Sequence, residues 1–149
     1  MSRIRKLKVL FLCTGNSCRS QMAEGLARAR KGDQIEPYSA GTVAKGLDPR
    51  AVKVMAEVGV DISGQKSKTL ADLKQLAFDY VVTLCGAAHE SCPVFPRKTK
   101  VVHAGFDDPP ELARGTKTEE EALMHYRRVR DEIQSFVERL PQALEEGDG

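Results

Sequence analysis

The chain has 149 residues, 41% apolar and 30% charged, the size of one domain that can bury most of the surface its unfolded form exposes. Its 23 Lys and Arg stand against 21 Asp and Glu, for a formal charge of +2. That balance argues against nucleic acid or an anionic membrane as the main partner, so any anion site must be local.

The opening MSRIRKLKVLFLC pairs basic residues with an apolar stretch, but Val9 to Leu12 is too short for a signal core and no small-residue cleavage site follows. No later segment is long enough to span a membrane. The expectation is a cytoplasmic, monomeric protein with a single domain over residues 1–149. Thiols stay reduced in that compartment, so Cys13, Cys18, Cys85 and Cys92 are expected to be catalytic or metal-bound rather than permanent disulfides.

In chain order, Lys6 to Leu12 is a short apolar run that stops at a glycine-containing loop, and Ser20 to Arg30 follows with helical spacing and strong helix formers. Ile35 to Ala40 reads as a second strand. Asp48 and Pro49 form an N-cap and first helical position for AVKVMAEVG, ending at Gly59. Thr69 to Ala77 suits a short helix, Tyr80 to Leu84 a buried strand, and Lys100 to His103 another. GFDDPP reads as a loop stiffened by two prolines. Thr118 and Glu121 make a capping box for a long terminal helix with Leu123, Tyr126, Ile133, Phe136, Val137 and Leu140 roughly on one face, ended or kinked by Pro141. Alternating strands and helices predict an α/β fold: a mainly parallel four-stranded sheet with helices on both faces and ligands at the carboxyl ends of the strands.

Cys13 to Ser20, CTGNSCRS, lies at such an end. A short loop running into a helix turns successive N–H groups toward one point and adds the positive end of the helix dipole, which suits a tetrahedral oxyanion. Arg19 can offer a fork of two donors to its oxygens, and the same field favours a thiolate on Cys13, to which Ser20 can donate. Gly15 and Asn16 suit the tight backbone. The expected oxyanion set is therefore Thr14, Gly15, Asn16, Ser17, Cys18, Arg19 and Ser20. Cys18 is either a packed thiol or an alternative partner for Cys13 under oxidation.

These residues resemble the signature loop of the low-molecular-weight protein tyrosine phosphatase superfamily, and Asp108-Pro109 resembles its general-acid loop. Within it, CTGNSCRSQMAEG and VVTLC followed by Cys92 are similar to the arsenate reductase branch that uses thioredoxin. The resemblance runs from Val9 to the terminal helix. It implies that Cys13 attacks arsenate held by the loop and Arg19, that protonated Asp108 assists the departing oxygen, and that Cys85 and then Cys92 carry the oxidation outward to thioredoxin. KVLFLC and YVVTLC would bring Cys13 and Cys85 to adjacent strand ends, about 4.8 Å apart if the strands pair. Cys85 and Cys92 would lie roughly 10 Å apart along a helix, so bridging them requires GAAHES to unwind or loop out.

The competing readings are a small phosphatase using Cys13, Arg19 and Asp108, and a non-enzymatic thiol sensor or metal-binding module, against which Arg19 and Asp108 argue. Phosphatases of the superfamily wall the loop with aromatic residues, whereas Thr42 to Arg50 has none and Pro110 follows Asp108-Pro109. An aryl substrate would lose about 0.5–1.5 kcal/mol per missing ring contact. Some reductases of the branch bind potassium through residues matching Asn16, Glu24 and Ser39 plus an aspartate, whose position is Lys68 here. Either the Lys68 ammonium replaces that cation by pairing with Glu24, or Lys68 is a solvated surface lysine. Thioredoxin is expected as external reductant, with no resident cofactor. His89, His103 and His125 are scattered and the cysteine spacings miss those of zinc sites, so no metal is expected. Asp107 competes with Asp108, but Pro109 holds Asp108 in extended geometry, which favours Asp108 as the acid.

Overall fold

The computed structural model describes residues 5–73, 75–86, 88 and 94–146. Cys92, His89 and most of GAAHES, the segment expected to loop out, lie outside the described residues.

Four strands, β1 (Leu7–Cys13), β2 (Ile35–Gly41), β3 (Tyr80–Thr83) and β4 (Lys100–His103), form one sheet in the order β2-β1-β3-β4. Every neighbouring pair is parallel, as the alternation of elements predicts. β1 is central, and Val9, Phe11 and their neighbours are fully buried, as a strand covered on both sides requires. β2 lies at an edge, where Pro37 costs no ladder bond that a central strand would need.

The helices are α1 (Arg19–Lys31), α2 (Pro49–Glu57), α3 (Pro109–Ala113), α4 (Glu119–Glu138) and α5 (Gln142–Glu146). α4 is held at its start by Thr118, whose hydroxyl accepts from the Glu121 N–H at 3.1 Å. The Glu121 carboxylate reaches back to the Lys117 N–H rather than to the cap residue itself. Along α4, Leu123, Tyr126, Val129, Ile133 and Val137 bury a face against which α1, α2 and α3 pack. Among the described residues no helix is long and apolar enough to cross a membrane.

Three expectations need correction. The helix over Thr69 to Ala77 is a single 3-10 turn, Leu70–Leu73. Leu70, Leu73 and Leu76 recur every third residue, the period of a 3-10 turn, and all three pack partly buried against the core. GFDDPP is not wholly loop, because Pro109 and Pro110 open α3 with Asp108 as its N-cap. This is the same Asp-Pro start that was legible at Asp48-Pro49. Finally, α4 stops at Glu138, short of Pro141, and a further short helix, α5, follows.

The chain leaves β1 for β2 on one side and leaves β3 for β4 on the other. The crevice at the carboxyl ends of β1 and β3 is therefore the topological switch point where such sheets bind ligands.

Candidate active site

The loop after β1 is shaped by what holds its carbonyls. Val43 N–H donates to Thr14 O at 3.0 Å, Lys45 N–H to Gly15 O at 2.9 Å and Asp48 N–H to Ser17 O at 3.0 Å. The Gln21 side-chain amide donates to Asn16 O at 3.0 Å. In a trans peptide the N–H points away from the preceding C=O, so these four anchors turn the N–H groups of Gly15, Asn16, Ser17 and Cys18 away from their tethers. None of these N–H groups has a protein acceptor among the described residues. Asn16 takes a left-handed φ of 46° to complete the turn. Gly41 is where the strand after α1 meets this loop: a Cβ there would lie 2.6 Å from Thr14 O and 2.7 Å from Asn16 N.

Cys13 ends β1, 3% exposed, with its sulfur 2.9 Å from Ser20 Oγ. Ser20 Oγ also receives the Asn16 side-chain amide at 2.8 Å. Having accepted there, the hydroxyl has its own proton to give to the Cys13 sulfur. The Asn16 amide is itself oriented, since its Oδ1 accepts from Lys68 N–H at 2.8 Å and from Gln21 at 3.0 Å.

Arg19 opens α1 with its side chain only 11% exposed. Its Nη1 donates to Phe106 O at 2.9 Å, which ties it to the segment carrying the acid loop and leaves the Nε–Nη2 edge for an oxyanion. Asp108 Oδ1 stands 3.7 Å from Nη2. As an N-cap Asp108 makes no side-chain cap bond, unlike Asp48, whose Oδ1 accepts from Arg50 N–H at 2.9 Å, so the Asp108 carboxyl stays available to the crevice. Asp107 turns the other way, to Arg128 on α4 at 2.9 Å. The two aspartates thus face different partners, Asp108 the Arg19 side chain and Asp107 that of Arg128.

Cys13, Thr14, Gly15, Ser17, Cys18, Arg19 and Asp108 line one cavity of about 320 Å³. Lys45, Asp48, Pro110, Glu111 and Arg114 complete its wall. No aromatic side chain is among them. Sequence reasoning missed Lys45, Asp48, Glu111 and Arg114 as part of this site, and only Asp48 carried a local signal, as a helix cap. Asp48 Oδ2 accepts from the Tyr126 hydroxyl at 2.7 Å, and burial with this bond pushes the Tyr126 pKa far up.

Cys85 is buried near the loop but not directly opposite Cys13. Leu12 pairs with Thr83, so Leu84 is level with Cys13 and Cys85 lies one residue further on. Its sulfur stands 3.4 Å from the Thr14 hydroxyl and receives Ala88 N–H at 3.4 Å. The two cysteines are thus offset by one position from the side-by-side placement expected. Burial, then the charges of Asp48 and Cys13, push the Cys18 thiol well up, so it is held protonated. Cys92 lies outside the described residues.

Asn16, Glu24, Ser39 and Lys68 do come together. Ser39 Oγ donates to Glu24 Oε1 at 2.5 Å, Lys68 Nζ is 3.4 Å from the same oxygen, and Arg28 bonds the other oxygen at 2.5 Å. The buried Glu24 carboxylate already has two cationic partners, an arrangement that does not fit an added potassium ion.

A cysteine at the end of a central strand, a loop of unpaired N–H groups running into a helix and an Asp-Pro helix start, set on a four-stranded parallel sheet, define a phosphatase-like class. The family model for low molecular weight phosphotyrosine protein phosphatase matches residues 8–148, and the chain belongs to that family. It is 56% identical over 126 residues to an arsenate reductase of Bacillus subtilis (strain 168), covering 84% of this chain and 88% of that one. Among solved structures it resembles an arsenate reductase in the phosphate binding state, with a TM-score of 0.72, 33% identity and coverage of 91% and 96%. It also resembles a low molecular weight protein tyrosine phosphatase from T. tengcongensis, with a TM-score of 0.72, 27% identity and coverage of 93% and 99%.

Proposed function

We propose that this chain reduces arsenate to arsenite by a three-cysteine thiol relay and is restored by thioredoxin. The observation that carries the reading is the pairing of an oxyanion loop headed by Cys13 with a second buried cysteine, Cys85, whose sulfur stands 3.4 Å from the loop residue Thr14. A phosphatase, whose cysteinyl intermediate water can discharge, has no need of Cys85. The identity to a named arsenate reductase and the absence of an aromatic wall around the cavity support the same choice over a tyrosine phosphatase.

In this mechanism the loop N–H groups and Arg19 hold arsenate, and the Cys13 thiolate attacks arsenic while Asp108 gives its proton to the departing oxygen. Cys85 then attacks the Cys13 sulfur. The sulfur–arsenic bond breaks with its electron pair going to arsenic, which leaves as arsenite, and a Cys13–Cys85 disulfide forms. Cys92 attacks Cys85, expels the Cys13 thiolate and leaves a Cys85–Cys92 disulfide for the dithiol of thioredoxin to reduce. Two electrons move: the first step forms a sulfur–arsenic bond and breaks an arsenic–oxygen bond, and each later step makes and breaks one bond at sulfur.

No potassium ion belongs to this account, because Lys68 and Arg28 neutralise Glu24. The relay is tested by Cys92→Ser, which should release one arsenite per chain and then stop. Repeated turnover of that variant with thioredoxin would contradict it.

A further inference from the structure

The wall of the cavity carries three cations, Arg19, Lys45 and Arg114, and three carboxylates, Asp48, Asp108 and Glu111. Five of these groups have protein partners. Arg19 bonds Phe106 O with Asp108 beside it, Arg114 pairs with Glu111 at 3.0 Å, and Asp48 accepts from Arg50 N–H and the Tyr126 hydroxyl. Lys45 has no carboxylate within ion-pair distance among the described residues.

Its backbone is nonetheless tied to the loop. The Lys45 N–H is pinned to Gly15 O at 2.9 Å. A Cβ built on Gly15 would lie 3.4 Å from Lys45 Cβ, 3.2 Å from Cγ and 2.9 Å from Cδ, so the stem closes on the loop toward its tip. A side chain at position 15 would push this stem away from the loop. The Lys45 side chain thus lines the oxyanion cavity beside Gly15, with no ion-paired carboxylate among the described residues, while the adjoining loop offers neutral N–H groups and the guanidinium of Arg19.

We infer that Lys45 is a specificity-determining residue, a second cation at the mouth of the loop that captures free, doubly charged tetrahedral oxyanions. This rests on the reading of the cavity as an arsenate site and adds the group that sets affinity there. One cation facing a dianion leaves a net negative charge, and a second one nearby neutralises it. Because Lys45 is exposed, its contribution is screened by salt, whereas that of the buried loop donors is not. It acts on binding and not on the bonds that break, so its loss belongs in KM and not in kcat.

The test uses Lys45→Met, which keeps a stem to pack on Gly15, and Lys45→Arg, which keeps the charge. Inorganic phosphate binding is measured by calorimetry, and arsenate KM and kcat in the thioredoxin-coupled assay, each at low and high salt. For Lys45→Met the phosphate Kd and arsenate KM should rise about tenfold at low salt, the lower end for a charged hydrogen bond, with kcat within about twofold. The gap should narrow at high salt, and Lys45→Arg should restore most of it. Phosphate affinity in Lys45→Met equal to that of the parent chain, equal falls in kcat and kcat/KM, or no rescue by Arg would each overturn the inference. If the parent chain binds phosphate with this Lys45 dependence yet turns over no arsenate, the functional reading falls and the role of Lys45 in oxyanion capture stands.

Discussion

Ser20 links the loop to the Cys13 sulfur, because Asn16 occupies its acceptor and leaves its proton for that sulfur. A hydrogen bond to a charged group contributes about 1.5–3 kcal/mol, so Ser20→Ala should slow arsenate-dependent oxidation of Cys13 about 10- to 100-fold in single turnover. An unchanged rate would mean that the bond plays no part in activating the sulfur. The two aspartates should separate as cleanly. Asp108→Asn removes a proton donor of the kind that contributes about 10²–10⁴-fold, whereas Asp107→Asn removes only an exposed pair with Arg128 and should cost little. At this scale the sequence singled out Cys13, Arg19 and Asp108 by residue type and spacing, and the fold brings the three to one cavity. Lys45 and Gln21 were not legible, since a lysine in a loop and a glutamine in a helix carry no local mark of the loop carbonyls they meet.

Between elements, the site depends on the close approach of β2's end to the loop after β1. Gly41 has backbone atoms at 2.5 Å, 2.6 Å and 2.7 Å from where a Cβ would stand, and backbone cannot swing aside as a side chain can. Gly41→Ala should therefore destabilise the fold by about 1–3 kcal/mol and weaken phosphate binding, measured by thermal melts and calorimetry. A second joint ties the start of β1 to the approach to β3: Asp79 accepts from Lys8 N–H at 2.8 Å and pairs with Arg5 through both oxygens. The Arg5 guanidinium, with the Lys8 N–H, holds the Asp79 carboxyl below the usual carboxylate range. The folded chain thus binds a proton there less readily than the unfolded chain does. The stabilisation is complete above the unfolded value of about 3.9 and is lost as pH falls through the depressed folded value. Asp79→Asn should lower the melting temperature at pH 7, and the difference from the parent chain should shrink as pH falls below about 4. A difference that grew on acidification would contradict the assigned pairing. Strand positions were readable because their apolar runs are short and bounded. Leu70, Leu73 and Leu76 misled because a three-residue period fits one turn of 3-10 as well as the start of a helix. α3 went unread because two prolines look like a stiff loop until the Asp before them acts as an N-cap.

For the molecule as a whole, an all-parallel sheet with its crevice between β1 and β3 brings into one neighbourhood residues that are far apart in sequence. Asp108 reaches Arg19, and Cys85 reaches Thr14. Alternating elements made that sheet legible, but they could not give the one-residue offset of Cys85 from Cys13, which depends on the register between β1 and β3. In the proposed relay, oxidation entering at Cys13 leaves through Cys85 and Cys92. The direct test is to incubate the reduced chain with arsenate in the absence of reductant, quantify arsenite and map the disulfides by mass spectrometry. The relay predicts one arsenite per chain and a Cys85–Cys92 bond; an unchanged thiol count would contradict it.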